Sequence, residues 1–162
     1  MNRNIYPLAL SDLKGLVETI GFQVQEDDEN GRITLFLEGE ETRLMVHVML
    51  GGTTGEPPWY VRLLSYSVEF EPLKAGIDRL VLIDWLNERN GQILFGRYYH
   101  DPRTDTVAFE LSMSGIGGIL GEDFARMLWI ATASVDKVHG DLKALVPIGA
   151  LQKKKDDDEP VQ

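Results

Sequence analysis

The three histidines of the chain are the residues from which acid–base or metal chemistry would most readily be built. His47 falls in an alternating run typical of a strand, His100 lies at the end of another such run, and His139 lies in a long helical pattern. No two of them have the spacing of metal ligands, and the chain has no cysteine. The sequence therefore predicts no metal centre, no disulfide and no thiol nucleophile.

An acidic run near residue 28 has part of the spacing of a calcium-binding loop. Glu26, Asp28, Asn30 and Gly31 match the first half of such a loop. The twelfth position is Leu37, where a calcium loop needs a bidentate carboxylate, and the flanking patterns are those of strands instead of helices. We therefore interpret the run as a solvated hairpin turn.

The glycine-rich segment SGIGGIL, at residues 114–120, has the flexibility of a phosphate-binding loop without its chemistry. It lacks the Lys and Ser/Thr of a P-loop, and Glu122 and Asp123 behind it would repel a phosphate. None of the serines at 65, 67, 112, 114 and 134 has the motif that surrounds a catalytic nucleophile. We expect a flexible connection here, and in the chain as a whole no catalytic residue, no cofactor and no enzymatic activity.

Arg97 is the cation whose surroundings are most specific. In FGRYYHD it alternates with Phe95 and Tyr99, so it is expected to lie on a sheet with its stem packed and its guanidinium on a carboxylate such as Glu110. A structural ion pair is favoured over a ligand site, because such pairs are common on protein surfaces.

The charge of the chain limits its partners. The formal net charge is −10, from 16 basic and 26 acidic residues, which disfavours direct binding of DNA or RNA because that affinity depends on Lys and Arg. No window approaches the roughly 18 apolar residues of a membrane span, and MNRNIYPLAL lacks a secretory signal pattern. We expect a cytoplasmic protein that makes no membrane contact.

Hydrophobic periodicity predicts the elements that must position these residues. In order they are a helix at 10–20, strands at 22–26, 32–37, 42–50 and 60–70, a helix at about 74–90, strands at 92–100 and 106–113, and a helix at about 122–145. Strands and helices do not alternate singly, so the pattern favours an α+β fold with an antiparallel sheet. Residues 1–150 are predicted to form one domain, and 151–162 a disordered charged tail.

The stretch WLNERNGQILFGRYYHD, from Trp85, followed by TVAFELSM, a glycine-rich loop and a long helix, resembles the YbjN family of bacterial proteins. The matching residues are Leu86, Asn87, Asn90, Phe95, Gly96, Arg97, Tyr98, Asp101, Val107 and Glu110. The resemblance implies a type III secretion chaperone-like fold from about residue 10 to 146. It also implies a homodimer that binds partner proteins on exposed apolar surface, or a regulator, and it supplies no catalytic residues.

Strand alternation predicts a surface for such binding. If Leu44, Val46 and Val48 pack under the helices, Met45 and Met49 point to the opposite face. The same face is predicted to hold Phe36, and on the following strand either Leu64 and Tyr66 or their alternates. The protein-binding residues predicted in this way are Phe36, Met45, Met49, Leu64 and Tyr66. The alternative is that the last helix or a dimer mate covers this face.

The second predicted helix has apolar residues on nearly all of its sides, and such a helix is expected to be buried on more than one side. Leu82, Ile83, Trp85 and Leu86 cannot all face one core. We therefore predict that these four residues form the interface of a homodimer.

Taken from the residues and the resemblance together, the predicted function is that of a protein-binding chaperone or adaptor, or of a regulatory domain, acting as a homodimer. Two other classes stay open. One is a small-ligand sensor or minor enzyme, and the other is an accessory factor of a nucleic-acid process that acts through a protein partner.

Removal of residues 151–162 is expected to leave the melting temperature almost unchanged, because charged residues dominate this segment and it can bury little apolar surface. Thermal denaturation of the full and shortened chains would test this. A drop of several degrees in the shortened chain would show that the tail docks.

Overall fold

The elements follow the predicted order, with two short strands added. The computed structural model describes residues 4–27, of which 26 and 27 by backbone alone, and 31–147, so the predicted tail lies outside the described residues. In chain order the elements are β1 (Ile5–Tyr6), α1 (Leu10–Ile20), β2 (Val24–Asp27), β3 (Arg32–Glu38), β4 (Arg43–Gly51), β5 (Tyr60–Ser67), α2 (Arg79–Gln92), β6 (Arg97–Asp101), β7 (Thr106–Ser114), β8 (Ile119–Leu120) and α3 (Gly121–Ala144).

Six strands form one sheet in the order β2-β3-β4-β5-β7-β6. Each neighbouring pair is antiparallel, as is the separate pair of β1 with β8. The predicted α+β class with an antiparallel sheet is thereby confirmed.

All three helices cover one face of the six-stranded sheet, called here the inner face. Alternate strand residues point to it, and Leu35, Val46 and Leu63 are fully buried there. Helix α3 packs across β4, β5 and β7, α1 lies against β2 and β3, and α2 contacts β6. Val17 of α1 and Phe124 of α3 join the strand residues in one core. Within residues 4–27 and 31–147, no helix is both long and apolar enough to cross a bilayer.

Helix α2 differs at both ends from the predicted range of about 74–90. It begins at Arg79, since the carboxylate of Asp78 caps it by accepting hydrogen bonds from the amides of Leu80 and Val81 at 2.8 and 3.4 Å. It also continues to Gln92, two residues past the predicted end.

The turn before α2 is held by Asp105, in the hairpin between β6 and β7. Its carboxylate accepts hydrogen bonds from the amides of Leu73 and Lys74 at 3.2 and 2.9 Å, and its Oδ1 lies 2.8 Å from Nε2 of His100. Burial alone would raise the pKa of Asp105, but the hydrogen bonds from Lys74, His100 and Leu73 together lower it. An ionised carboxylate therefore fixes the segment that leads into α2.

The side chain of Asn90 takes the place of a neighbouring strand along the free edge of β6. Its Nδ2 donates to the carbonyl of Tyr98 at 2.9 Å, and its Oδ1 accepts from the amide of Tyr98 at 2.7 Å. Strand β6 begins at Arg97, later than the predicted residue 92, because α2 occupies the chain through Gln92.

The glycine-rich segment predicted to be only a flexible connection contains β8. Tyr6 of β1 pairs with Ile119 of β8, and Gly118, at a φ of 114°, has no room for a Cβ against Ile5 and the backbone of Tyr6. Pairing with the amino-terminal strand was absent from the prediction because both strands are only two residues long.

Asp136 of α3 holds the turn between β3 and β4. Its Oδ2 accepts from the amide of Glu40 at 2.9 Å, and its Oδ1 accepts from the amides of Glu41 and Thr42 at 3.0 and 3.2 Å. A Cβ at position 39 would collide with this carboxylate, so Gly39 permits the approach. The last helix is thus bound to the sheet by polar contacts at the turn as well as by the core.

His139 lies on α3 with an exposure of only 1%. Its ring meets Phe70 edge to face with 5.7 Å between centroids, and neither ring nitrogen has a hydrogen-bond partner among the described residues. A buried imidazole of this kind is favoured in its neutral form, because nothing replaces the water that would solvate its charge.

Replacement of His139 by Leu is expected to make stability less dependent on pH between 7 and 5. Burial, with a smaller contribution from Lys143, lowers the pKa of His139 below its ordinary value, while Glu69, Asp136 and Glu41 oppose the shift. Since the unfolded chain then binds the proton more readily, the folded state loses stability as pH falls below about 6.5 and through the lowered pKa. Melting temperatures of both proteins across this range would show it. An equal fall in both would contradict this role of His139.

Candidate functional site on the outer sheet face

The face of the six-stranded sheet opposite the helices is called here the outer face. Strand register places its side chains in rows that cross the sheet. One row, called here the apolar row, consists of Tyr99, Ala108, Tyr66, Met45 and Phe36. The next row consists of Arg97, Glu110, Leu64, His47 and Thr34, and the third holds Ser112, Arg62, Met49 and Arg32.

The five residues predicted to bind protein all lie on this face. Phe36 is the most exposed, at 52%, while Met45, Met49, Leu64 and Tyr66 are half-buried among their neighbours. The choice on β5 that alternation left open is thereby decided in favour of Leu64 and Tyr66. The alternative that the last helix covers this face is wrong, because α3 packs on the inner face.

A chain of hydrogen bonds crosses the middle of the outer face. Oγ1 of Thr34 lies 3.0 Å from Nδ1 of His47, Nε2 of His47 lies 2.9 Å from the hydroxyl of Tyr66, and that hydroxyl donates to Sδ of Met45 at 2.8 Å. The contacts fit a neutral imidazole that accepts from Thr34 and donates to Tyr66. Burial raises the pKa of Tyr66, so its hydroxyl stays a donor. The side chains of three strands are therefore fixed relative to one another.

Glu110 binds two guanidinium groups next to this series of hydrogen bonds. Its Oε2 accepts from Nη2 and Nε of Arg97 at 2.9 and 3.2 Å, and its Oε1 lies 2.8 Å from Nε of Arg62. The predicted ion pair of Arg97 and Glu110 is confirmed, and the Glu110 carboxylate raises the pKa of Arg97. The part of Arg62 in this cluster was not predicted, although its alternation with Leu64 and Tyr66 on β5 places it on the same face.

These contacts determine what the face can do. The polar groups of Thr34, His47, Tyr66, Arg97 and Glu110 hydrogen bond to side chains of the same face, and the side chain of Phe36 reaches solvent. In the part of the chain that the structure describes, no group of three or more His, Asp and Glu residues could hold a metal ion. The arrangement is a rigid, mixed apolar and polar surface suited to contact with another macromolecule.

The predicted dimer interface needs revision. Three of its residues are buried in the core of this chain, namely Leu82, Trp85 and Leu86 of α2, with exposed fractions of 0%, 9% and 7%. They are therefore not available to a partner in this conformation. Ile83 is exposed at 39%, as are Leu80 at 70% and Val81 at 46%. The helix is apolar nearly all round because one side faces the core and these three residues face outward.

Comparison with known proteins identifies relatives. Residues 10–142 match the model of the YbjN family, which is described as "Putative bacterial sensory transduction regulator". Among solved structures the chain is similar to YbjN from E. coli, described as "a putative transcription regulator", with 15% identity and a TM-score of 0.58, over 93% of this chain and 96% of that one. At this identity the likeness shows the fold. No curated protein matches the chain.

Replacement of Glu110 by Gln is expected to lower the free energy of unfolding by about 1 kcal/mol, because two guanidinium groups lose their common carboxylate in a partly exposed setting. Urea denaturation would measure this, with Glu88→Gln on the exposed side of α2 as the control. Equal stability of both variants would show that Glu110 does not hold the outer face together.

Proposed function

Because the chain belongs to the YbjN family, we propose that it is a regulatory domain that works in the cytoplasm by binding other proteins through its outer face. The description of the family as a regulator of sensory transduction supports the first part of this proposal. The second part rests on one observation, which is that none of the three described helices lies over the outer face, where Phe36 is exposed and Met45, Tyr66 and Tyr99 are half-buried.

The size of the outer face supports a protein partner. Six strands at a spacing of about 4.8 Å give a width of roughly 24 Å, and the nine residues of β4 give a length of roughly 30 Å, so the face offers at most roughly 700 Å². A standard protein interface buries about 800 Å² per partner, which is close to this area.

The composition of the face supports the same kind of partner. Phe36, Tyr66 and Tyr99 are aromatic, and the half-buried Arg62 and the exposed Arg97 both pair with Glu110. Aromatic residues, Met and Arg are the residue types enriched in protein interfaces. Met49 adds a flexible thioether side chain, which adapts to differently shaped apolar surfaces, while Met45 is held by the hydroxyl of Tyr66.

The proposal includes a homodimer, whose contact surface is revised from the sequence prediction. Leu80, Val81 and Ile83 lie within one turn at the amino-terminal end of α2 and are exposed. Their apolar surface would be removed from water by the same residues of a second copy, in a contact with twofold symmetry. This surface is separate from the outer face, so partner binding and dimer formation can be tested independently.

Replacement of both Met45 and Met49 by Lys is expected to reduce partner capture about tenfold or more, because it places two charges in an apolar contact, where a loss of about 1.4 kcal/mol already gives tenfold. Capture from a lysate of the organism that encodes the chain would be quantified by mass spectrometry, and the mass of the variant by light scattering.

The matched control replaces Leu80 and Ile83 by Lys, which adds the same charge on α2. This variant is expected to capture partners normally and to lose the dimer mass. Capture unchanged in the Met45/Met49 variant would refute the role of the outer face. A monomeric wild-type chain at micromolar concentration would refute the dimer alone.

A further inference from the structure

A groove lies on the helical side of the molecule, between the end of α1 and α3. Phe22 lines one wall and Trp129 of α3 the other, while Leu37 of β3 and Leu44 of β4 line the same space between them. Trp129 is exposed at 69%. An aromatic ring of this size on a helix that otherwise buries its apolar side is available for contact across the groove.

The dimensions of the groove fit a peptide segment better than a small molecule. Its volume is about 1170 Å³, above the range of about 300 to 1,000 Å³ of small-ligand pockets, and it is partly open to solvent. From Trp129 to Asp141, which both line it, α3 rises roughly 18 Å. An extended segment of about five or six residues spans that length.

The charge at one end of the groove is negative. Glu40 and Glu41 lie in the turn between β3 and β4, and both are exposed. Glu38 ends β3 opposite Arg43 and has the outward parity of Phe36, so it belongs to the outer face. Two further acids of the lining are already bound elsewhere, since Asp136 holds the amides of that turn and Asp141 pairs with Arg89 of α2. Glu40 and Glu41 are therefore the acids left to meet a ligand, against Lys137 in the same lining.

We infer that this groove binds an extended segment of a partner protein that carries Lys or Arg next to an apolar or aromatic side chain. The apolar side chain packs against Trp129 and Leu37, and the cations meet Glu40 and Glu41. A nucleic acid is repelled by these acids. A second copy of the chain brings the same glutamates and a net charge of −10, which opposes self-association at this place.

A selection of random dodecapeptides displayed on phage, carried out on the full chain, would test the inference. Peptides that combine Lys or Arg with aromatic or aliphatic residues should be enriched. Their capture should fall at least tenfold on two variants, Trp129→Glu and the double replacement Glu40→Lys with Glu41→Lys. All positions replaced are exposed, and unchanged melting temperatures would show that the variants fold.

Two controls separate the groove from other surfaces. Replacement of Glu56 and Glu88 by Lys changes the net charge equally at exposed positions outside the groove lining, and it should leave capture unchanged. The Met45/Met49 variant of the outer face should also capture normally, so the two proposals can fail separately.

Several results would overturn the inference. These are enrichment of no peptide, enrichment of acidic peptides, or equal capture by the Glu40/Glu41 and Glu56/Glu88 variants. Capture that occurs only after residues 148–162 are removed would assign the groove to the tail of this chain. A dimer that becomes monomeric with Trp129→Glu would assign it to a second copy.

Discussion

The register of the six-stranded sheet is the constraint on which the other features of the molecule depend. Because side chains alternate between faces, a shift of one residue on any strand would move its whole apolar set from one face to the other. The observed register keeps Leu35, Val46, Leu63 and Phe109 together on the inner face, where all three helices cover them. The same register brings Phe36, Met45, Tyr66 and Tyr99 together on the outer face, so that core and surface are two results of one pairing.

A small number of polar side chains join the loops to this framework. Asp105 and Asp136 each accept hydrogen bonds from backbone amides of a distant segment, and Asn90 satisfies both backbone groups of Tyr98 at the sheet edge. Buried or half-buried backbone groups need such partners where no strand or helix supplies them. These contacts position the start of α2 and the turn at residues 39–42, which shapes one end of the groove.

The two surfaces proposed for binding differ in their chemistry, and Phe36 of β3 borders both of them. The outer face combines an apolar row with a charge cluster in which Glu110 is shared by two arginines, so the cluster keeps one excess positive charge. The groove combines Trp129 and apolar lining residues with two exposed glutamates, Glu40 and Glu41. A domain with two such surfaces can hold one protein while a second one binds, as a regulator that joins two partners requires.

Much of the fold, and the membership of the outer face, could be predicted from the sequence, because both follow from local periodicity. The alternation of Leu44, Met45, Val46 and Met49 predicts two different faces whatever the rest of the chain does. The ion pair of Arg97 with Glu110 could likewise be predicted from the sequence, since two neighbouring strands of a hairpin bring opposite charges together. The bounds of α2 and β6 were harder to predict from the sequence. They depend on contacts that Asp105 forms across the turn and Asn90 forms at the sheet edge, and hydrophobic periodicity does not indicate such contacts.

Other features depend on residues that are distant in the sequence. Leu82, Trp85 and Leu86 were predicted to face a second copy because the helix is apolar nearly all round, yet which of its sides is buried depends on where the sheet lies. The groove exists only because α1 and α3 leave a gap over β3 and β4, and Arg62 joins Glu110 only through the pairing of β5 with β7. The sequence by itself determined the order and class of the elements and the two sides of each strand, since these depend on neighbours along the chain. Only the tertiary structure decided which surfaces remain open, because that depends on how separate elements pack together.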